Sequence, residues 1–140
     1  MEVLVELWLR SQNPNNNQKD HIVYLVSQEE TSELFTHLLN FIDPEVIPDL
    51  PTDYYMVGNR GEYTVERKDT SDFVKSIYDG RLFDQIIKVR GVFPNSHHTF
   101  LIHGNWRHVS YFGKHTNLAM IFSNVSSLTV DWHADLLHFP

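Results

Sequence analysis

Asp53-Tyr54-Tyr55-Met56-Val57-Gly58-Asn59-Arg60-Gly61-Glu62-Tyr63-Thr64-Val65-Glu66-Arg67-Lys68 is the stretch from which the fold is read. Two strand-like runs, Tyr54–Val57 and Glu62–Arg67, flank Gly58-Asn59-Arg60-Gly61, whose glycines and asparagine suit a tight hairpin turn. A symmetric turn centred on Asn59-Arg60 pairs Val57 with Glu62, Tyr55 with Thr64 and Asp53 with Glu66. Directly opposed residues share a sheet face, with Cβ atoms about 5 Å apart. Lys68, two residues after Glu66, projects from that same face, while Val65 and Arg67 point the other way. Two carboxylates and an ammonium therefore converge at one end of the hairpin. That is the minimum set for metal-dependent phosphodiester hydrolysis. Asp53 and Glu66 supply hard oxygen ligands, and Lys68 balances charge on the phosphate. On spacing alone a second reading stays open. The same charges read equally as a solvated strand face with a weak surface pair, and a one-residue slip in register would separate them.

Downstream of the hairpin, Thr70 to Tyr78 reads as a helix with Phe73, Val74, Ile77 and Tyr78 apolar. Gly80 ends it, and Arg81 to Val89 starts a second helix. Thr99–Ile102 is a short buried strand, Asn117 to Phe122 a helix, Leu128–Val130 a strand and Ala134–His138 a short helix. Upstream, Val3 to Leu9 reads as a strand, Asn13-Pro14-Asn15-Asn16-Asn17 as a turn, and Ile22–Val26 as a strand that pairs with the first. Glu30 to Ile42 has Leu34, Leu38, Leu39 and Ile42 at helical spacing. Pro48 and Pro51 predict irregular chain after Asp43-Pro44. This order predicts a mixed α/β fold with helices on both faces of a sheet.

The chain of 140 residues is the size of a single domain, and 41% hydrophobic residues suffice for a core. No apolar run approaches the roughly 18 residues of a membrane span. Cysteine is absent, which excludes disulfides and thiol catalysis. The formal net charge of −7 argues against a protein that grips nucleic acid by bulk charge. Its distribution is uneven, because nine of the eleven cations lie between Arg60 and Lys114. That segment is net positive, so it is where an anionic partner would bind, weakly and with strong dependence on salt.

Val65-Glu66-Arg67-Lys68-Asp69-Thr70-Ser71-Asp72 runs on through Phe73-Val74-Lys75-Ser76-Ile77-Tyr78-Asp79-Gly80-Arg81-Leu82-Phe83-Asp84-Gln85. It resembles the signature of the XPF-type structure-specific endonuclease family: a GD dipeptide, an ERK-x-x-x-D motif, then a helix ending near S-I-x-D-G-R-L-x-x-Q. Ser27-Gln28-Glu29 resembles the family's first strand-to-helix turn, and Thr99 to Gly104 its next core strand. The similarity covers about residues 22–138, so residues 1–140 read as a single nuclease domain in which residues 1–20 are a strand or hairpin addition. The resemblance implies a restriction-endonuclease-like (PD-(D/E)XK) core, a mixed central sheet flanked by helices. It implies Mg²⁺- or Mn²⁺-dependent cleavage of branched DNA (flaps, forks or junctions) inside a cell, in prokaryotic or virus-infected cytoplasm or in a nucleus. A homodimer or heterodimer through the nuclease domain is usual, and no membrane is involved. Carried over by position, Asp53 and Glu66 are metal ligands and Lys68 the catalytic lysine, with Glu29, Arg67 and Asp72 supporting the motif. Arg81, Lys75 and Gln85 are the expected DNA contacts.

The chain departs from the family pattern at four positions. Val26 stands where an aspartate is usual, Gln28 for an arginine, Thr52 for the glycine of GD, and His103 for a glutamate. Val26 removes one carboxylate and leaves the number of metals open. Two other readings follow: a non-catalytic DNA-binding or scaffolding subunit, favoured by Val26 and opposed by Asp53, Glu66 and Lys68, or a Holliday-junction resolvase-like nuclease.

Overall fold

The computed structural model describes residues 22–26, 36, 45–47, 49–58, 61–106, 109–111, 114–115 and 117–140. The chain divides into two compact units, Met1–Thr64 and Val65–Pro140, with the boundary inside one long strand.

In the first unit, β1 (Ile22–Val26) runs parallel to β2 (Glu45–Ile47) and antiparallel to β3 (Tyr54–Gly58). The β1–β3 register sets Ile22 opposite Val57 and Leu25 opposite Tyr54. The strand order is β2-β1-β3-β4, with β4 (Gly61–Asp69) shared between the units. β1 thus lies between β2 and β3. Its expected partner Val3–Leu9, most of the expected helix Glu30–Ile42, and Asn59-Arg60 of the turn lie outside the described residues. β2 replaces expected irregular chain. Its three residues fit between Pro44 and Pro48, so no proline removes a donor from the ladder.

In the second unit the strand order continues β4-β5-β8, with β5 (Ser96–His103) and β8 (Asp135–Phe139) parallel. Helix α1 (Thr70–Tyr78) follows β4 without a loop. Asp69 makes that possible. Its backbone is extended, and its side chain accepts a 2.7 Å hydrogen bond from the Asp72 N–H, which satisfies an otherwise orphaned helix donor. Gly80, at φ +72, turns the chain directly into α2 (Arg81–Val92). α1 and α2 bury Phe73, Leu82 and Ile86 against Phe100 and Ile102 of β5, with Leu128 and Ala134 completing the cluster. Val74, Val109 and Ile121 form a second, smaller cluster. Ser110–Tyr111 and Lys114–His115, β6 and β7, pair as a short antiparallel ribbon. No helix among the described residues is long and apolar enough to cross a membrane.

The C-terminal quarter corrects two expectations. Leu128–Val130 is not a strand but the last turn of α3 (Leu118–Val130). Its β-branched composition loses to helical spacing, because Ile121 and Leu128, seven residues apart, both bury on one side. Ala134–His138 is not a helix. His133, at φ +52, breaks the chain, and residues 135–139 then extend as β8 along β5.

His98 is the one imidazole of β5 that points into the core: it is 1% exposed and stands edge-on to Phe100 at 4.7 Å. Its pKa is lowered to about 4, first by burial and then by the nearby charges of Arg90 and His97. A folded pKa below the unfolded value near 6.5 means that protonation favours unfolding. The contribution is fully present above pH 6.5 and is lost as pH falls towards 4, on the order of 3 kcal/mol. Urea unfolding of wild type and His98→Phe at pH 7.5 and 4.5 checks this. The wild type should lose more stability between those values than the variant.

Candidate active site

β4 builds the centre of the site. Alternation along an extended strand sends Glu66 and Lys68 to one face and Arg67 to the other. Lys68 Nζ lies 3.7 Å from Glu66 Oε1, and these side chains are only 10% and 17% exposed. A pair that shielded sits in a lower dielectric than a surface pair, so its charges act more strongly on each other and on a third charge brought beside them. The weak surface pair open to the sequence is therefore replaced by a nearly buried one. The helix cap at Asp69 begins one residue after Lys68 and fixes the strand end that carries both groups.

The other expected residues fall in distinct places. Asp53 is half-buried immediately before β3, in the first unit. In that unit the Tyr55 hydroxyl donates to Glu62 Oε1 at 2.9 Å, which puts those two side chains on one face of the hairpin, the parity expected from the turn. Asp72 is exposed in the first turn of α1, and its carbonyl accepts from Ser76 Oγ at 2.8 Å. Lys75 is exposed on the same helix. Arg81 opens α2, half-exposed and 3.3 Å from Asp79. Gln85 differs from these, because its Oε1 is buried with no hydrogen-bond partner among the described residues. Arg67 is half-buried. Glu29 lies outside the described residues. Val26 ends β1, in register with Ile47.

Among the described residues no three His, Asp or Glu side chains converge. The carboxylates expected from the sequence as metal ligands are Asp53, in the first unit, and Glu66, in the second. Oxygen donors of that kind fit a hard divalent cation that keeps several of its waters, as Mg²⁺ does. Asp69 is a residue that sequence reasoning passed over. Its signal was present: an aspartate three residues before Asp72, at the start of an apolar helical pattern, is a capping arrangement.

The comparisons with known proteins bear on the fold and the family. Among solved structures, XPF from Aeropyrum pernix in complex with DNA is similar, with 26% sequence identity and a TM-score of 0.66, over 84% of this chain and 56% of that one. XPF from Aeropyrum pernix without DNA is similar at 26% identity and a TM-score of 0.63, over 84% of this chain and 53% of that one. The chain thus spans about half the length of the structures it matches. None of the curated protein sequences matches it. The likeness identifies the mixed sheet and its helices as a restriction-endonuclease-like fold. The ERCC4 domain model matches residues 6–140. With nearly its whole length matched, and with Glu66-Arg67-Lys68 on the central strand, the chain belongs to the ERCC4 domain family.

Proposed function

We propose that this chain is a divalent-metal-dependent endodeoxyribonuclease that cuts branched DNA at flaps, forks or junctions, in an intracellular setting. The observation that carries the reading is the shielded Glu66–Lys68 pair, 3.7 Å apart on the strand that holds the family motif. A solved relative described as a complex with DNA supports the substrate class.

Asp53 and Glu66 are the proposed metal ligands, on the pairing that the sequence predicts for the hairpin. Mg²⁺ or Mn²⁺, if held by these carboxylates, would supply Lewis-acid polarisation of the scissile phosphate and a more acidic water. Lys68 already holds its ammonium beside Glu66 and is nearly buried, so it needs no reorganisation to face an attacked phosphate. Arg67, on the opposite face of β4, and Asp72, in the first turn of α1, support the strand end. The exposed cations Lys75 and Arg81 lie on the helices that follow, and they bind phosphates without reading sequence. With so few of them, binding is weak, and what there is falls as salt rises.

A dimer suits the same chain. α3 carries no charged side chain over thirteen residues and exposes Leu118, Phe122 and Val130, with Phe122 60% accessible. Phe122→Glu is expected to shift the wild-type dimer to monomer in sedimentation velocity. An unchanged sedimentation coefficient would remove α3 from the interface.

One assay tests the function. Labelled flap, fork, four-way junction and linear duplexes are incubated with the protein and Mg²⁺. Cutting near the branch, with the linear duplex spared, supports the proposal. Cutting of the junction alone favours a resolvase. The missing carboxylate at Val26 favours a second reading, a scaffolding subunit, and binding of branched DNA without any cutting is what that reading expects.

A further inference from the structure

A second feature lies at the Lys68 end of the motif strand. Gly104 follows β5 at φ +117, a conformation that side-chain-bearing residues rarely adopt. A Cβ built on it would stand 2.8 Å from Thr70 Oγ1, so the backbone here passes against the first residue of α1. Thr70 is 5% exposed and comes two residues after Lys68. Gly104 is itself tied down on both sides. Its N–H donates to the Phe139 carbonyl at 2.8 Å, and its carbonyl accepts from His138 Nε2 at 2.6 Å. The His138 ring lies against Trp106 with ring centres 5.0 Å apart and planes tilted by 36°, and Trp106 meets Phe73 of α1 edge-on at 5.5 Å.

We infer that His138 is a positioning residue for the nuclease site. It touches no reacting group. It holds the Gly104 carbonyl, Gly104 is pressed against Thr70, and Thr70 is joined through the Asp69 cap to the strand end carrying Glu66 and Lys68. Without the donated hydrogen bond, the 103–104 backbone is released on that side. The β4–α1 junction then loses the wall that fixes it. Small displacements of groups that must meet a phosphate are costly, because rate depends steeply on their placement. The carbonyl contact and the ring contact are separable. Phenylalanine keeps a ring against Trp106 and donates nothing, whereas glutamine donates and has no ring.

The inference rests on the proposed nuclease activity, so the test has two arms. In full-length protein, His138→Phe is expected to lower kcat for flap cleavage about tenfold with KM within about twofold of wild type, and His138→Gln to recover most of the loss. Independently of activity, amide hydrogen exchange at Thr70, Ser71 and Gly104 should quicken about tenfold in His138→Phe and stay near wild type in His138→Gln, with an unchanged exchange rate in the core of α2. Equal kcat and exchange in both variants and wild type would overturn the inference. So would a loss in His138→Gln with wild-type behaviour in His138→Phe, which would mark the ring as a packing element only. If wild type cuts nothing, the nuclease proposal fails, and the exchange arm still decides whether His138 holds the junction.

Discussion

Glu66→Ala and Lys68→Ala are each expected to lower the single-turnover rate of metal-dependent cleavage by on the order of 10²–10³-fold or more, with branched-DNA binding nearly unchanged. Glu66→Ala removes one of the two carboxylates, with Asp53, that we propose hold the cation. Lys68→Ala removes the positive charge that the strand holds 3.7 Å from that carboxylate. On the proposed mechanism the two act on one reacting phosphate, so the double variant should be little worse than the more damaged single one. Loss of an unfolded enzyme would look similar, so urea midpoints belong beside the rates. Both side chains are shielded from solvent yet lie outside the apolar core cluster. Unfolding midpoints close to wild type, together with a collapsed rate, would therefore identify a chemical role. Rates within about threefold of wild type would remove the pair from the mechanism.

Phe73→Ala is expected to produce the largest loss of stability, about 3–5 kcal/mol. Phe73 is fully buried and meets Phe100 at 6.2 Å and Trp106 at 5.5 Å, both edge-on. Truncation removes its transfer energy and leaves a void between α1 and β5, which the two rings cannot both fill. Domains of this size hold roughly 5–15 kcal/mol in all, so the variant would be close to unfolding at 37 °C. Chemical denaturation followed by tryptophan fluorescence measures it. Phe122→Ala is the control: that ring is 60% exposed, and its loss should cost about 0.5 kcal/mol or less in the monomer. Equal losses at the two positions would show that the core is not organised around Phe73.

The parts of the chain that sequence reading placed well are those governed by local chemistry. The hairpin was legible because glycines at 58 and 61 bracket its turn, and Gly61 does adopt φ +134. Helix α1 was legible over Thr70–Tyr78 because its apolar spacing is regular and Gly80 follows it. The common face of Glu66 and Lys68 needed only strand alternation. Leu128–Val130 and residues 134–139 misled because short apolar runs suit helix and strand alike, and long-range burial decided between them. Leu128 is claimed by the core, and the segment after His133 by the open edge of β5. The Gly104–His138 contact was not legible either. It joins residues 34 apart, through a parallel β5–β8 pairing that no local pattern announces.

The most direct measurement of the central claim is metal dependence on a single substrate. A 5′-labelled flap is incubated with wild-type protein in Mg²⁺, and in parallel with excess EDTA. Specific cutting at the branch with Mg²⁺, abolished by EDTA and restored by added Mn²⁺, is the predicted result. No cutting with either metal, or cutting that persists in EDTA, would contradict a metal-dependent site built on Asp53, Glu66 and Lys68.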